Sequence, residues 1–252
     1  MISRTIILIL FLSSFAFGKT QKTPKYIHVF VALCDNANQG IVPVPASLGN
    51  GQKPASNLYW GAMYGLKSYF KRDSHWRSLG KQASPGFPVL ERWLFQHANT
   101  GAILVADAYD GAEMADCMQA FLEKAAGCGP AFTWENDTLW QADLVSFVGH
   151  NGLMDTDLSK PAIDKDTTIV PAILLCCIAR DYFGPFLKKA GAYPLVWTTG
   201  LMAPEAYTLS SALDRWLEGG DDLAVRQAAA EAYHKYQKCG LRAAKNLLVT
   251  GF

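Results

Sequence analysis

The chain has 252 residues, half of them apolar, with 23 basic against 22 acidic side chains and a net charge of +1. That balance excludes the basic footprint of a nucleic-acid binder and gives no electrostatic attraction to anionic membranes. Six cysteines, Cys34, Cys117, Cys128, Cys176, Cys177 and Cys239, are too few for a disulfide-dominated scaffold of this length.

The N-terminal MISRTIILILFLSSFAFGKT carries Arg4, a short apolar run over residues 6–12, and the small residues Ala16 and Gly18 just before Lys19. Charge, greasy core and small-residue cleavage site in that order read as a secretory signal peptide over residues 1–18, leaving a mature chain of about 230 residues. No later segment offers the ~18 uninterrupted apolar residues of a membrane-crossing helix, so no membrane insertion is expected once the leader is gone. The expectation is an exported protein, periplasmic or secreted, with residues 19–252 forming a single domain.

KYIHVFVALCD, residues 25–35, is a nearly continuous apolar run and reads as a strand buried on both faces of a parallel sheet. The Gly- and Pro-containing stretch after it has no periodicity and reads as a functional loop at the carboxyl edge of that sheet, where α/β proteins bind ligands. SNLYWGAMYGLKSYFKRD repeats Leu58, Ala62, Leu66 and Phe70 every fourth residue and predicts a helix from Ser56. Tyr59 and Trp60 are the aromatic residues nearest the loop.

FPVLERWLFQH and AILVAD predict strand structure over residues 87–107, and GAEMADCMQAFLEKAAG an amphipathic helix closed by Gly127. DLVSFVG, IVPAILLC and YPLVWTT predict three more strands, with DYFGPFLKKAG as a short helix between the last two. From Pro204 onward the pattern is helical. Alternating strands and helices predict an α/β fold, a mostly parallel sheet with helices on both faces and a C-terminal helical extension from about residue 204.

Two strands in this order end in a reactive side chain. DLVSFVGHNG runs through Gly149 into His150, and PAILLCCIAR ends in Cys176 and Cys177. In a parallel sheet both carboxyl ends lie on one edge, which gives a thiol and an imidazole a geometric reason to meet. A thiolate is the attacking species, and an imidazole together with a following helix N-terminus favours it. Backbone N–H groups at Gly152 and Cys177 are candidates for holding an oxyanion.

An apolar block ending in FVGHNG, followed by a second ending in ILLCCIA, resembles the caspase/legumain/gingipain clan of cysteine peptidases. In that pattern Cys176 takes the position of a small residue, Cys177 that of the nucleophile and Ala179 that of the small residue after it. The chain departs from the pattern in placing Asn151 between His150 and Gly152. The resemblance implies a caspase-like three-layer sandwich, peptide or protein substrates, no cofactor and a catalytic pair of Cys177 and His150. It also implies that Asp35, Asn36, Thr199 and Glu205 line a pocket or orient the imidazole, Asn36 being the candidate orienter. With Asp35 or Glu205 in the pocket, a basic residue before the cleaved bond would be favoured.

Two other readings remain open. One is a non-catalytic exported α/β binding protein, or an inactive peptidase homologue, that uses the 36–60 region and keeps its thiols in the core. The other is a thiol-redox role for Cys176 with Cys177. The remaining histidines, His28, His75, His97 and His234, have no metal-ligand spacing, so no metal site is expected. No phosphate loop, dinucleotide fingerprint or G-x-S-x-G elbow occurs. Asn136-Asp137-Thr138 is a glycosylation sequon, and Cys128 with Cys239, each at a Gly-containing turn after a helix, is the best-placed disulfide pair.

Overall fold

The computed structural model describes residues 24–135, 137–139, 141–158 and 169–252; residues 1–18, expected to be a leader, and Asn136 of the sequon lie outside them. In chain order the strands are β1 (Tyr26–Ala32), β2 (Trp76–Gln82), β3 (Val89–His97), β4 (Ile103–Tyr109), β5 (Phe132–Trp134), β6 (Asp137–Leu139), β7 (Leu144–Val148), β8 (Pro171–Leu175), β9 (Tyr193–Thr198) and β10 (Leu248–Val249). The helices are α1 (Leu66–Phe70), α2 (Met114–Ala125), α3 (Ala179–Ala190), α4 (Ala206–Leu217), α5 (Asp222–Gln237) and α6 (Leu241–Leu247).

An eight-stranded sheet of order β10-β9-β8-β7-β1-β4-β3-β2 is covered on both faces. Its five middle strands, from β9 to β4, run parallel, while β2, β3 and β10 are antiparallel to their neighbours. All seven residues of β1 are buried, as its nearly continuous apolar run predicts. Ile27, Val29 and Val31 point into one core and Tyr26, Phe30 and Ala32 into the other, following the two-residue period of a strand.

On one face α2 inserts Cys117, Met118, Phe121, Leu122 and Ala125, and α3 adds Phe183 and Leu187. Each larger side chain fully buried there contributes roughly 1.5–3 kcal/mol. On the other face α1, α4 and α5 supply Leu66, Phe70, Tyr207, Leu209, Leu213, Val225 and Ala229. The C-terminal helices are therefore no extension; α4 and α5 bury Tyr207, Leu209, Leu213, Val225 and Ala229 in the same core as Ile27, Val29 and Val31. The chain then returns through α6 so that the two-residue β10 pairs with the edge of β9.

Two local expectations change. The segment from Ser56 to Asp73 is a series of turns in which only the five residues of α1 are helical. Asn57 explains this: its side chain accepts from Cys34 N at 3.0 Å and donates to Cys34 O at 2.8 Å, so its amide finishes β1 instead of capping a helix. Gly61 then packs where a Cβ would lie 2.0 Å from the Ala55 carbonyl oxygen, leaving room for glycine alone. The second change is β2, an edge strand in which only Trp76 is buried, too polar to stand out as a strand.

Candidate active site

The ladder between β7 and β8 ends at the pair Val148 and Leu175. Two residues further along each chain, His150 and Cys177 leave the same carboxyl edge, beside β1, where the order of strand connections reverses. The two turns are tied directly: Asn151 Nδ2 donates to Cys177 O at 2.7 Å, while Asn151 Oδ1 accepts from Leu153 N. Gly149 makes the exit from β7. Its φ is +146°, and a Cβ would lie 2.9 Å from Ala32 O, so a side chain fits neither the backbone nor the space.

His150 is 8% exposed, and its Nε2 lies 2.7 Å from Asp155 Oδ2. The same oxygen accepts from Gly40 N at 2.9 Å, so the long loop after β1 steadies the carboxylate that steadies the imidazole. Donation of Nε2–H to Asp155 leaves the ring's lone pair on Nδ1, the form a proton acceptor needs.

Cys177 stands at the junction of β8 and α3. Ile178 after it adopts a left-handed conformation, φ 49° and ψ 39°, which for a β-branched residue costs about 1–3 kcal/mol. Neighbouring bonds hold the turn in place: Ile178 N donates to Gly200 O at 2.9 Å, Ala179 N to Thr198 Oγ1 at 3.0 Å, and Thr198 Oγ1 to Cys176 O. The bend separates the two cysteines. Cys176 is fully buried, and burial pushes its thiol well above the ordinary value, the state of an inert core residue. Cys177 is half-buried; its Sγ accepts from Met202 N at 3.4 Å and sits at the N-terminus of the 12-residue α3. Neither Cys177 N–H nor Gly152 N–H has a hydrogen-bond acceptor among the described residues.

Among the pocket candidates, the structure brings Thr199 and Glu205 into the stretch that follows β9 and borders Cys177 through Met202. Thr199 Oγ1 donates to Asn246 O at 2.8 Å, and Glu205 Oε2 accepts from Tyr207 at 2.6 Å and Gln237 at 2.9 Å. Asp35 is buried within its own loop. It is 2% exposed and accepts from Ala37 N, Asn38 and Gln52; burial pushes its carboxyl up, but these bonds hold it below the ordinary value. Nor does Asn36 orient the imidazole: its amide clamps Val44, donating to the carbonyl at 2.7 Å and accepting from N–H at 3.0 Å. Asp155 takes the part imagined for Asn36. An acid five residues after the histidine carries no periodic or spacing signal, and only the fold around the Gly152–Met154 turn brings it back.

Trp60 is fully buried and donates to Glu91 Oε2 at 2.8 Å, so it is no ligand platform. Tyr59 hydrogen-bonds the Cys34 thiol, which burial pushes up to about 11 despite that bond. All six cysteines are free, including Cys128 and Cys239, so the expected disulfide is not formed. Among the described residues no three His, Cys, Asp or Glu side chains gather as a metal site, and no helix is long and apolar enough to cross a membrane. Compared with family models, curated proteins and solved structures, the chain matches none.

Proposed function

We propose that this protein is an exported cysteine peptidase of caspase-like architecture, cleaving peptide or protein substrates with Cys177 as nucleophile and His150 as general acid and base. The observation that carries the reading is the placement of His150 and Cys177 at the ends of consecutive parallel strands, joined by the Asn151 bond to Cys177 O. The order β4-β1-β7-β8-β9 of the parallel strands, with the histidine one strand before the cysteine, supports it further.

His150 Nδ1 takes the thiol proton as Sγ bonds to the scissile carbonyl carbon, and the N–H groups of Cys177 and Gly152 receive the developing oxyanion. Collapse of that intermediate breaks the C–N bond, and the proton on His150 passes to the leaving amine. Water, activated by the same ring, then hydrolyses the thioester and frees Cys177. Labelling the mature protein with peptidyl electrophiles that differ in their first residue tests the assignment. A single adduct mapped by mass to Cys177 is expected; an adduct confined to the exposed Cys239, or none with any member of the panel, overturns it.

Asp155 is a positioning residue here, since it touches the imidazole and not the reacting bond. Asp155→Asn is expected to lower kcat/KM about 100-fold by losing the acceptor that fixes the ring's tautomer and orientation. Most of the loss should fall in kcat, and Asp155→Glu should recover part of the rate. An unchanged rate in Asp155→Asn would remove Asp155 from the machinery.

A further inference from the structure

We propose that a cavity of about 370 Å³ between α2 and the turn 85–88, remote from Cys177, binds a small carboxylic acid with an apolar body, held by Arg92. The volume falls in the ~300–1,000 Å³ range of small-molecule sites. α2 packs over β1 and β7, which leaves the stretch of that sheet face above β3 and β4 to this hollow. Phe30, Val89, Tyr109 and Ala120 form apolar walls, and Phe87 beside them is 72% exposed.

The floor is the unusual part. Arg92 and Asp107 face each other across β3 and β4 in a two-bond fork, Nε to Oδ1 and Nη2 to Oδ2, both 2.6 Å. His28 Nε2 lies 2.8 Å from Asp107 Oδ2, and Tyr26 OH lies 3.0 Å from His28 Nδ1. Apolar side chains at these positions would hold the sheet at least as well, because a buried ion pair seldom repays its desolvation. Both His28 nitrogens are engaged, so the ring offers a ligand none. Arg92 uses two of its five N–H groups on Asp107, and the other three, which include a second planar fork, have no acceptor among the described residues.

Lys124 selects for an anion. It lines the same cavity, its ammonium donates to Pro130 O at 2.7 Å, and burial followed by the charge of Arg92 holds it below its ordinary pKa. The two cations repel, and a negative group bound between them relieves that repulsion. Of the three acids lining the cavity, Asp107 is held by Arg92 and His28, Asp116 is exposed and Glu123 accepts from Gln119. A carboxylate matches one guanidinium fork; a phosphate would turn its remaining oxygens toward apolar walls.

Isothermal titration of the mature protein with 3-phenylpropionate, its primary amide and 3-phenylpropylamine tests this. The acid should bind at least tenfold tighter than the amide, and the amine should not bind. Ala120→Phe, which fills the cavity and leaves the ion pairs intact, should weaken the acid at least tenfold, and Arg92→Leu/Asp107→Leu should abolish the preference for acid over amide. A tetrapeptide ending in a free phenylalanine carboxylate separates the sources. Binding as tight as the free acid points to peptide ends, and binding by the acid alone to small metabolite-like acids, both within the proposal. Equal affinity of acid and amide, no heat from the acid, or an undiminished affinity in folded Ala120→Phe overturns it.

Discussion

Cys177→Ala is expected to lower peptide hydrolysis at least 1,000-fold and to remove all labelling by peptidyl electrophiles, because the C–S bond of the intermediate cannot form. The same change should barely touch the fold. Cys177 is half-buried, and its thiol's contacts are the weak ones with Met202, so the loss should stay below about 1 kcal/mol, a shift of no more than about 4 °C in Tm for a chain of this size. Cys176→Ala gives the opposite pattern. Its side chain is fully buried between β8 and the α2–α3 layer, so truncation should cost roughly 1 kcal/mol in stability while hydrolysis and labelling persist. Hydrolysis that survives Cys177→Ala, measured on protein freed of other peptidases, would end the proposal; hydrolysis lost only in Cys176→Ala would move the nucleophile one residue back.

That contrast rests on a distinction the sequence could express only by analogy. CC at the end of an apolar run does not say which thiol is buried and which is partly exposed; the left-handed Ile178 and its bond to Gly200 decide it. The parallel strands were legible. β1, β7, β8 and β9 are near-continuous apolar runs because both faces of a parallel sheet are covered, and four such runs separated by helix-length segments leave few arrangements. Their ends were legible for the same reason, which is why the sequence alone places His150 and Cys177 at the ends of neighbouring parallel strands.

What was hidden depended on contacts distant in the chain. The apolar repeat from Leu58 to Phe70 has a helical period, yet Asn57 is claimed by Cys34, 23 positions earlier, and Gly61 by the Ala55 carbonyl. Asp155 reaches His150 through the Gly152–Met154 turn, and Gly40, 115 positions away, bonds the same carboxylate oxygen. Asp35, Asn36 and Gln39 read as pocket or loop residues, but a stretch of over twenty residues without strands or helices must satisfy its backbone somehow, and these side chains do that. The C-terminal helices looked appended because nothing in their sequence tells that they share one core with α1 and the inner strands.

Arg92→Leu should be the most destabilising single change outside the apolar core, by about 3–5 kcal/mol. Asp107 is 1% exposed and would keep a negative charge with His28 as its one remaining side-chain partner. Replacing both partners, Arg92→Leu/Asp107→Leu, should restore most of the loss, since apolar groups of similar volume can substitute for a buried pair. The pH dependence gives a second, independent readout. In the parent protein burial pushes the Asp107 carboxyl up, but the bonds from Arg92 and His28 hold it below its ordinary value. Its contribution is therefore present above the unfolded carboxylate value of about 4 and is lost as pH falls through the lower folded value. Without Arg92 burial prevails, the folded pKa rises above 4, and the folded state binds the extra proton. The penalty in Arg92→Leu should then grow as pH rises from about 4 toward 7, by at most ~1.4 kcal/mol per unit. Denaturant melts of parent, single and double variants at pH 4.5 and 7 measure this. A penalty in the single variant that is flat with pH, or a double variant as unstable as the single, would show that Arg92 acts through packing of its stem and not through the charge it neutralises.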